Sequence, residues 1–295
     1  MRKFGQSLAI LLLAAATVAG SQPPPPDTAP AVIAAAREAL GGEKKLAAVK
    51  TIVATGRTRQ VRGDNLVPIE FEVDIELPDK YVRKDEIPAQ ESGPTLSGFR
   101  GEELLQFPAP SPPPARAGGP PPPTAEQMAA AARTRLGAVK QDFARLLLGM
   151  FAGSSPALPL TFSYIGKAEA PQGKADVLEV KGPPGPGAFA ARLFINTDTH
   201  LPIMLTWIAP APPMRGGPPP PPRGDGPPAA ANPGAPGQPL PPETRLYFGE
   251  YREVSGLQLP FRLRRALGVD TVEETTYDGY KINSKIDPKK FEVRK

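Results

Sequence analysis

The sequence predicts a mainly β protein with some α structure, built as a curved antiparallel sheet of about ten strands with helices on one side. One observation is the alternation in residues 69–77, where every second side chain is apolar and the side chains between them are acidic. A second is the series of shorter alternating segments that glycine and asparagine turns separate. A third is a single long segment with helical period between two groups of strands. Many strands with few helices favour one strongly curved sheet.

The first twenty residues, 1–20, are typical of a secretory signal peptide. Arg2 and Lys3 precede an apolar run that extends over 8–18, and small residues follow it. The run is too short to span a membrane permanently, and we predict no transmembrane segment after signal cleavage. Ser21 stands where a lipoprotein signal would carry its lipidated cysteine, which predicts a soluble exported protein, periplasmic or secreted.

Proline divides the rest of the chain. Residues 21–29 form a proline-rich leader, and 30–295 are predicted to form a single domain. Two disordered proline-rich insertions, 108–123 and 209–242, interrupt that domain. Dense proline removes backbone donors and excludes sheet and helix interiors. The sheet can continue across the second insertion, because closing a longer loop costs little.

Composition excludes several classes of site. The 295 residues contain no cysteine, which excludes disulfides, cysteine-ligated zinc and thiol nucleophiles. The formal charge of +5 includes Arg2 and Lys3, so signal removal leaves +3. That small excess of positive charge is spread along the chain without aromatic interleaving, and nucleic-acid binding is not predicted. We predict no cofactor.

The first group of elements begins with helical sequence over 30–49, broken at Gly41 and Gly42. Strands follow over 51–61 and 66–77, and another begins near Tyr81 after a Pro78-Asp79 turn. A hairpin is predicted around 98–101.

The long helix is predicted over 124–151. Thr124 and Gln127 fit a capping box at its start. Its apolar stripe lies in the second half, so only that half is expected to pack strongly; the stripe consists of Leu136, Val139, Phe143, Leu146, Leu147 and Met150.

The second group consists of strands again. Alternating apolar side chains indicate them near 162–164, 178–180, 193–195, 203–207, 244–253, 257–265 and 270–282.

The polar residues predict no catalytic or metal site. His200 is the only histidine and lies in a turn sequence, which favours an exposed structural role. Glu70, Glu72, Asp74 and Glu76 fall on the polar face of one strand. We interpret them as a solvated stripe that discourages edge association or is balanced by basic residues on neighbouring strands. The chain is not predicted to be an enzyme.

Several motifs in order resemble the LolA/LolB-like superfamily of periplasmic lipoprotein carriers. The resemblance lies in the segments 39–52, 77–83, 98–105, 192–202, 251–260 and 286–291. Arg100 stands where this family usually has an acid, and the proline insertions are foreign to it. The resemblance implies an incomplete β-barrel with a helical lid on its open side and an apolar interior that receives acyl chains. It also implies that Arg83 ties the barrel to the lid; an ordinary ion pair at an edge strand is the alternative.

The expected function is an exported carrier or sensor that binds a lipid or lipoprotein acyl chain in a hydrophobic half-barrel. The alternative is a cell-envelope interaction module whose core is filled by its own side chains and whose proline-rich loops dock envelope protein partners. The candidate cavity residues are Phe71, Val73, Ile75, Tyr81, Phe162, Tyr164, Leu205, Trp207, Leu259 and Phe261.

Overall fold

A computed structural model describes residues 28–88, 90–91, 93–110, 122–185, 187–208 and 242–292. The predicted signal peptide and nearly all of the proline-rich leader lie outside the described residues. So do most of the two predicted insertions, over 111–121 and 209–241.

The described chain folds into three α-helices, twelve β-strands and a short 3-10 helix over Pro288–Phe291. The helices are α1 (Ala29–Ala39), α2 (Glu43–Ala47) and α3 (Ala125–Phe151). The strands are β1 (Thr51–Arg62), β2 (Asn65–Glu76), β3 (Lys80–Glu86), β4 (Thr95–Arg100), β5 (Glu103–Phe107), β6 (Thr161–Ala170), β7 (Gly173–Lys181), β8 (Ala190–Asn196), β9 (Pro202–Ile208), β10 (Glu243–Val254), β11 (Leu257–Leu267) and β12 (Asp270–Ile282). Every strand segment predicted from the sequence is present, although the total of about ten was two too low.

All twelve strands belong to one antiparallel sheet in the order β5-β4-β3-β2-β1-β12-β11-β10-β9-β8-β7-β6. Two meanders make up this order, β1 to β5 and β6 to β12, and they join where β1 pairs with β12. The sheet is open, with β5 and β6 at its two edges. Since α3 is the connection between these two strands, the chain topology places it across the opening.

Helix α3 lies inside the curve of the sheet. Its residues contact β4 and β5 near one edge and β9 and β11 in the other meander. Strands β4 and β9 are seven positions apart, which is roughly 34 Å in a flat sheet at about 4.8 Å per strand. A helix is only about 10–12 Å across with its side chains, so the sheet must wrap around α3. We call the face that carries α1 and α3 the inner face.

Strand β2 shows how the sequence separates the two faces. Ile69, Phe71, Val73 and Ile75 are buried on the inner face, as the alternation predicts.

The prediction of a solvated acidic stripe on the opposite face of β2 is wrong for Asp74, which is only 2% exposed. The 3-10 helix covers it, and Lys290 Nζ donates to Asp74 Oδ1 at 2.9 Å and to Glu72 Oε1 at 2.8 Å.

The main core lies between the second half of α3, helix α1 and the inner face. We call this region the packed end; among its fully buried large side chains are Phe99, Phe143, Phe248 and Leu148. Arg37 of α1 donates to the Phe151 carbonyl at 2.9 Å. The capping box predicted for α3 is confirmed, since Thr124 accepts from the Gln127 amide and the Gln127 side chain accepts from the Thr124 amide.

Candidate functional site

The inner face is not filled along its whole length. A cavity of about 310 Å³ lies between the middle of α3 and strands β1 to β4 and β10 to β12. A second, more open cavity of about 780 Å³ lies on the other side of α3, beside β7 to β12. Asp142, Arg145 and Arg265 line both cavities. We call the two cavities together the cleft.

The first cavity has both apolar and charged walls. Its apolar lining is Ile69, Val73, Val139, Leu146, Leu246 and Leu263, together with the rings of Tyr81 and Tyr277. Its charged lining is Arg62, Arg83, Arg145 and Arg265 with Asp85, Asp142 and Glu273. The interior at this end of the sheet is therefore amphipathic, unlike the apolar interior that the family resemblance implies.

Arg83 is held on the sheet. Its Nε donates to Asp85 Oδ1 at 2.7 Å and its Nη2 donates to Thr58 Oγ1 at 3.1 Å. The guanidinium also lies 4.5 Å from the centre of the Phe71 ring, within the range of a cation–π interaction. Burial opposes the charge, but Asp85, Tyr81 and Tyr277 together outweigh it and raise the pKa of Arg83. Burial raises the pKa of the nearby Tyr277 hydroxyl to about 12.

Arg145 reaches the cleft from α3. Its guanidinium lies 4.3 Å from the ring centre of Trp207 and 5.4 Å from that of Phe189. Nη1 donates to Asp142 Oδ1 at 2.7 Å, and Nη2 donates to Gln141 Oε1 at 3.1 Å. Burial lowers the pKa of Arg145, and the positive charge of Arg265 acts in the same direction. The positive charges of Arg145 and Arg265 in one cleft form a site that favours an anion.

The two halves of α3 are attached differently. From Lys140 onward most side chains are buried, whereas most of those over 125–138 are exposed, as the sequence predicts. Lys140 lies at the boundary between the two halves, and its Nζ donates to Glu102 Oε1 at 2.6 Å. The cleft is therefore covered by the less strongly held half and the middle of the helix.

No protein-family model matches the sequence. No curated protein matches it either. Solved structures do match: a LolA superfamily protein from Nitrosomonas europaea has a TM-score of 0.50 and 13% sequence identity, covering 89% of this chain and 96% of that one. The fold is LolA-like.

Two further solved structures match at TM-scores below 0.5. A DUF1329 family protein from Desulfovibrio piger has a TM-score of 0.44 at 9% identity, covering 90% of this chain and 98% of that one. A structure described as an outer membrane lipoprotein-sorting protein domain, from Vibrio parahaemolyticus, has a TM-score of 0.46 at 8% identity, with coverages of 88% and 95%. The match to the Nitrosomonas europaea structure confirms, at the level of the fold, the resemblance inferred from the sequence.

Among the helices of the described ranges, none combines the length and the apolar character needed to cross a bilayer.

Of the ten apolar candidate residues, three line the cleft of this LolA-like fold and seven do not. Val73 and Tyr81 line the first cavity and Trp207 lines the second. The other seven lie outside the lining of both cavities. Ile75, Leu205 and Leu259 are buried in the core, Phe71 and Phe261 are buried beneath Arg83 and Arg252, and Phe162 and Tyr164 are half-buried on β6.

The predicted role of Arg83 between barrel and lid stays a prediction. Its side chain lines the cavity that α3 covers, and both of its hydrogen-bond partners are on the sheet. His200 is exposed in the turn between β8 and β9, as predicted.

Sequence reasoning missed Arg145 and Arg265. A signal for Arg265 was present, because it continues the inward row of β11 after Leu257, Leu259, Phe261 and Leu263. A charged residue at the end of an inward apolar row indicates that the sheet interior becomes polar there.

Proposed function

We propose that this protein is an exported carrier or sensor that holds a lipid or lipoprotein acyl chain in the cleft beneath α3. The observation that carries the proposal is that the inner face is packed at one end and left as two adjoining cavities at the other. Volumes of about 310 and 780 Å³ fall in or near the range of roughly 300–1,000 Å³ that small-molecule sites occupy. The LolA-like fold supports the same function.

Affinity in such a site comes mainly from burial of the ligand's acyl chain. Burying fourteen methylene groups at about 0.8 kcal/mol each gives roughly 11 kcal/mol before the costs of binding. The apolar wall formed by Val73, Leu246 and Leu263 offers part of that contact. Exchange of the ligand requires the cover to move, and the exposed first half of α3 is the part of the cover with the fewest buried side chains.

The cellular setting belongs to the same proposal. The signal peptide predicted over 1–20 would deliver the mature protein to the periplasm or the medium. We further propose that its role is binding without catalysis.

Native mass spectrometry of mature protein purified without detergent, followed by titration with a fluorescent fatty acid, tests this function. Copurified lipid or saturable uptake is the expected result. Trp207→Asp places a carboxylate in the wall of the second cavity and should reduce uptake. Val269→Asp is the matched control, because Val269 is 94% exposed and outside the lining of both cavities.

The alternative function is an envelope interaction module with a self-filled core. The packed end favours it, since Phe143, Phe248 and Phe99 are at most 2% exposed there. A protein that purifies empty and ignores the fatty acid would support this alternative and overturn the carrier. The next experiment would then seek envelope partners of the proline-rich segments.

A further inference from the structure

The shared wall of the two cavities contains guanidinium groups with unused donors. Arg145 Nε and Arg265 Nε are both buried, and neither has a hydrogen-bond partner among the described residues. A buried donor without a partner costs roughly 1–3 kcal/mol, more for a charged group. Such groups in a native structure point to an acceptor that the protein chain itself does not provide.

The nearby carboxylates do not provide that acceptor. Asp142 accepts a hydrogen bond from Nη1 of Arg145, but the Nε of Arg145 has no partner among the described residues. Glu273 lies 4.0 Å from Nη1 of Arg265, which is too long for a hydrogen bond. These two carboxylates therefore leave both Nε donors unsatisfied.

The position of Arg145 is fixed before any ligand arrives. Trp207 and Phe189 contact its guanidinium, and Asp142 and Gln141 each accept one of its hydrogen bonds. The side chain is only 11% exposed. A buried, oriented guanidinium is suited to a carboxylate or a phosphate, whose oxygens accept two parallel hydrogen bonds.

We infer that the ligand of this cleft is an anionic amphiphile, whose carboxylate or phosphate head group binds Arg145 and Arg265 while its tail lies against the apolar wall of the first cavity. This inference rests on the proposed carrier function and specifies its ligand. The two arginines line both cavities, so a head group held between them leaves the apolar lining formed by Val139, Leu146 and Leu263 for the tail.

Two lipids with the same tail provide the test. Lysophosphatidate and monoacylglycerol, each with one fourteen-carbon chain, differ only in the phosphate. Glycerol 3-phosphate provides the head group alone. Trp207 is the only tryptophan of the chain and contacts Arg145, so intrinsic fluorescence reports binding at the inferred position. Isothermal titration provides a second measurement that does not depend on Trp207.

Lysophosphatidate should bind at least about tenfold more tightly than monoacylglycerol, since hydrogen bonds to a charged group are the stronger kind. Arg145→Gln should remove most of that difference and leave monoacylglycerol binding within about twofold. Arg265→Gln should act in the same direction. Its side chain is 35% exposed, so folding is expected to tolerate this change even if Arg145→Gln proves unstable.

Arg252→Gln is the matched control. Arg252 also stacks on an aromatic ring, 4.6 Å from the centre of Phe261, and also pairs with a carboxylate, that of Glu250. It lies outside the lining of both cavities, and its substitution should change neither affinity.

The outcomes separate the two proposals. Equal affinity for the two lipids would overturn the anionic head group and leave the carrier function standing. Absence of binding by either lipid would overturn both. Glycerol 3-phosphate binding as tightly as lysophosphatidate would overturn the amphiphile and leave a site for a small anion.

Discussion

The two ends of the inner face share a helix and a sheet but differ in what fills them. At the packed end, aromatic and aliphatic side chains of α1, α3 and the strands leave Phe143 and Leu148 with no exposed surface. In the cleft, Arg83, Arg145 and Arg265 stand among apolar neighbours around two cavities. The packed end therefore supplies most of the core, and the proposed ligand site lies at the other end.

The inward rows of the strands change character along their length. In β1 the row runs from Ile52 and Ala54 to Gln60 and Arg62, and the last two line the cleft. In β11 it runs from Leu257 to Arg265. Strand β12 lies between these two strands, and its Glu273 pairs with both Gln60 of β1 and Arg265 of β11. The polar ends are therefore close together and form one amphipathic wall.

The largest expected effect comes from the aromatic cluster at the packed end. Phe143 packs with its ring centre 5.3 Å from those of both Tyr81 and Phe99. Phe143→Ala should lower the free energy of unfolding by about 3–5 kcal/mol, as is typical of a large core side chain. Urea denaturation measures the loss. Met128→Ala on the exposed half of the same helix is the control, because Met128 is 47% exposed and should change stability by less than about 0.5 kcal/mol. Similar losses for both variants would contradict the contrast between the two halves.

Two glycines of α3 sharpen the comparison. A Cβ at Gly149 would lie 2.2 Å from the Phe248 ring, whereas a Cβ at Gly137 would have no neighbour within 4 Å. Gly149→Ala should therefore destabilise the protein by about 1–3 kcal/mol through overpacking. Gly137→Ala should stabilise it by about 0.5–1 kcal/mol through helix propensity alone. Opposite shifts of the denaturation midpoint are expected, and shifts of the same sign would show that the helix does not sit against Phe248.

Local pattern was enough to predict most of the fold. The alternation of β2, the capping box at Thr124 and the uneven stripe of α3 each depend on neighbours within a few residues. These patterns predict which face of a strand points inward, and the same parity would have placed Arg265 inside. The position of Arg145 over Trp207 could not be predicted in this way, because it depends on how α3 is rotated against strands far away in sequence.

Asp74 illustrates the same limit on the outer face. The alternation on β2 predicts the face on which Asp74 lies. It does not predict that Asp74 is buried, because Lys290, which covers it, is 216 positions later in the chain. Long-range cover of this kind leaves no local signal. Both oxygens of Asp74 accept from Lys290, at 2.9 and 3.0 Å. Asp74 differs in this respect from Arg145 and Arg265 in the cleft, whose Nε donors have no partner among the described residues.

A smaller effect than that of Phe143→Ala is expected from breaking the ion pair of Asp74 with Lys290 on the outer face. Lys290→Met should cost about 1–2 kcal/mol near neutral pH, less than the 3–5 kcal/mol of a fully buried pair because the Lys290 side chain is 35% exposed. Lys289→Met, next to it in the 3-10 helix and exposed, is the control and should be nearly neutral. Equal losses for both would contradict the specific role of Lys290.

The pH dependence of that loss follows from three pKa shifts. Burial opposes the charge of Lys290, but Glu72 and Asp74 outweigh it and raise the pKa of Lys290, so its stabilisation is present below about 10.5 and is lost as pH rises through the folded value. The hydrogen bond from Lys290 lowers the pKa of Glu72, so that stabilisation is present above about 4.5 and is lost in acid. Burial raises the pKa of Asp74, so this carboxyl becomes neutral early on acidification and then needs no partner.

The stability difference between parent and Lys290→Met should therefore form a plateau between roughly pH 5 and 10 and shrink on both sides of it. Denaturation at a series of pH values measures this profile, and a difference that stays constant below pH 4 would mean that Lys290 stabilises the 3-10 helix by packing instead of by charge.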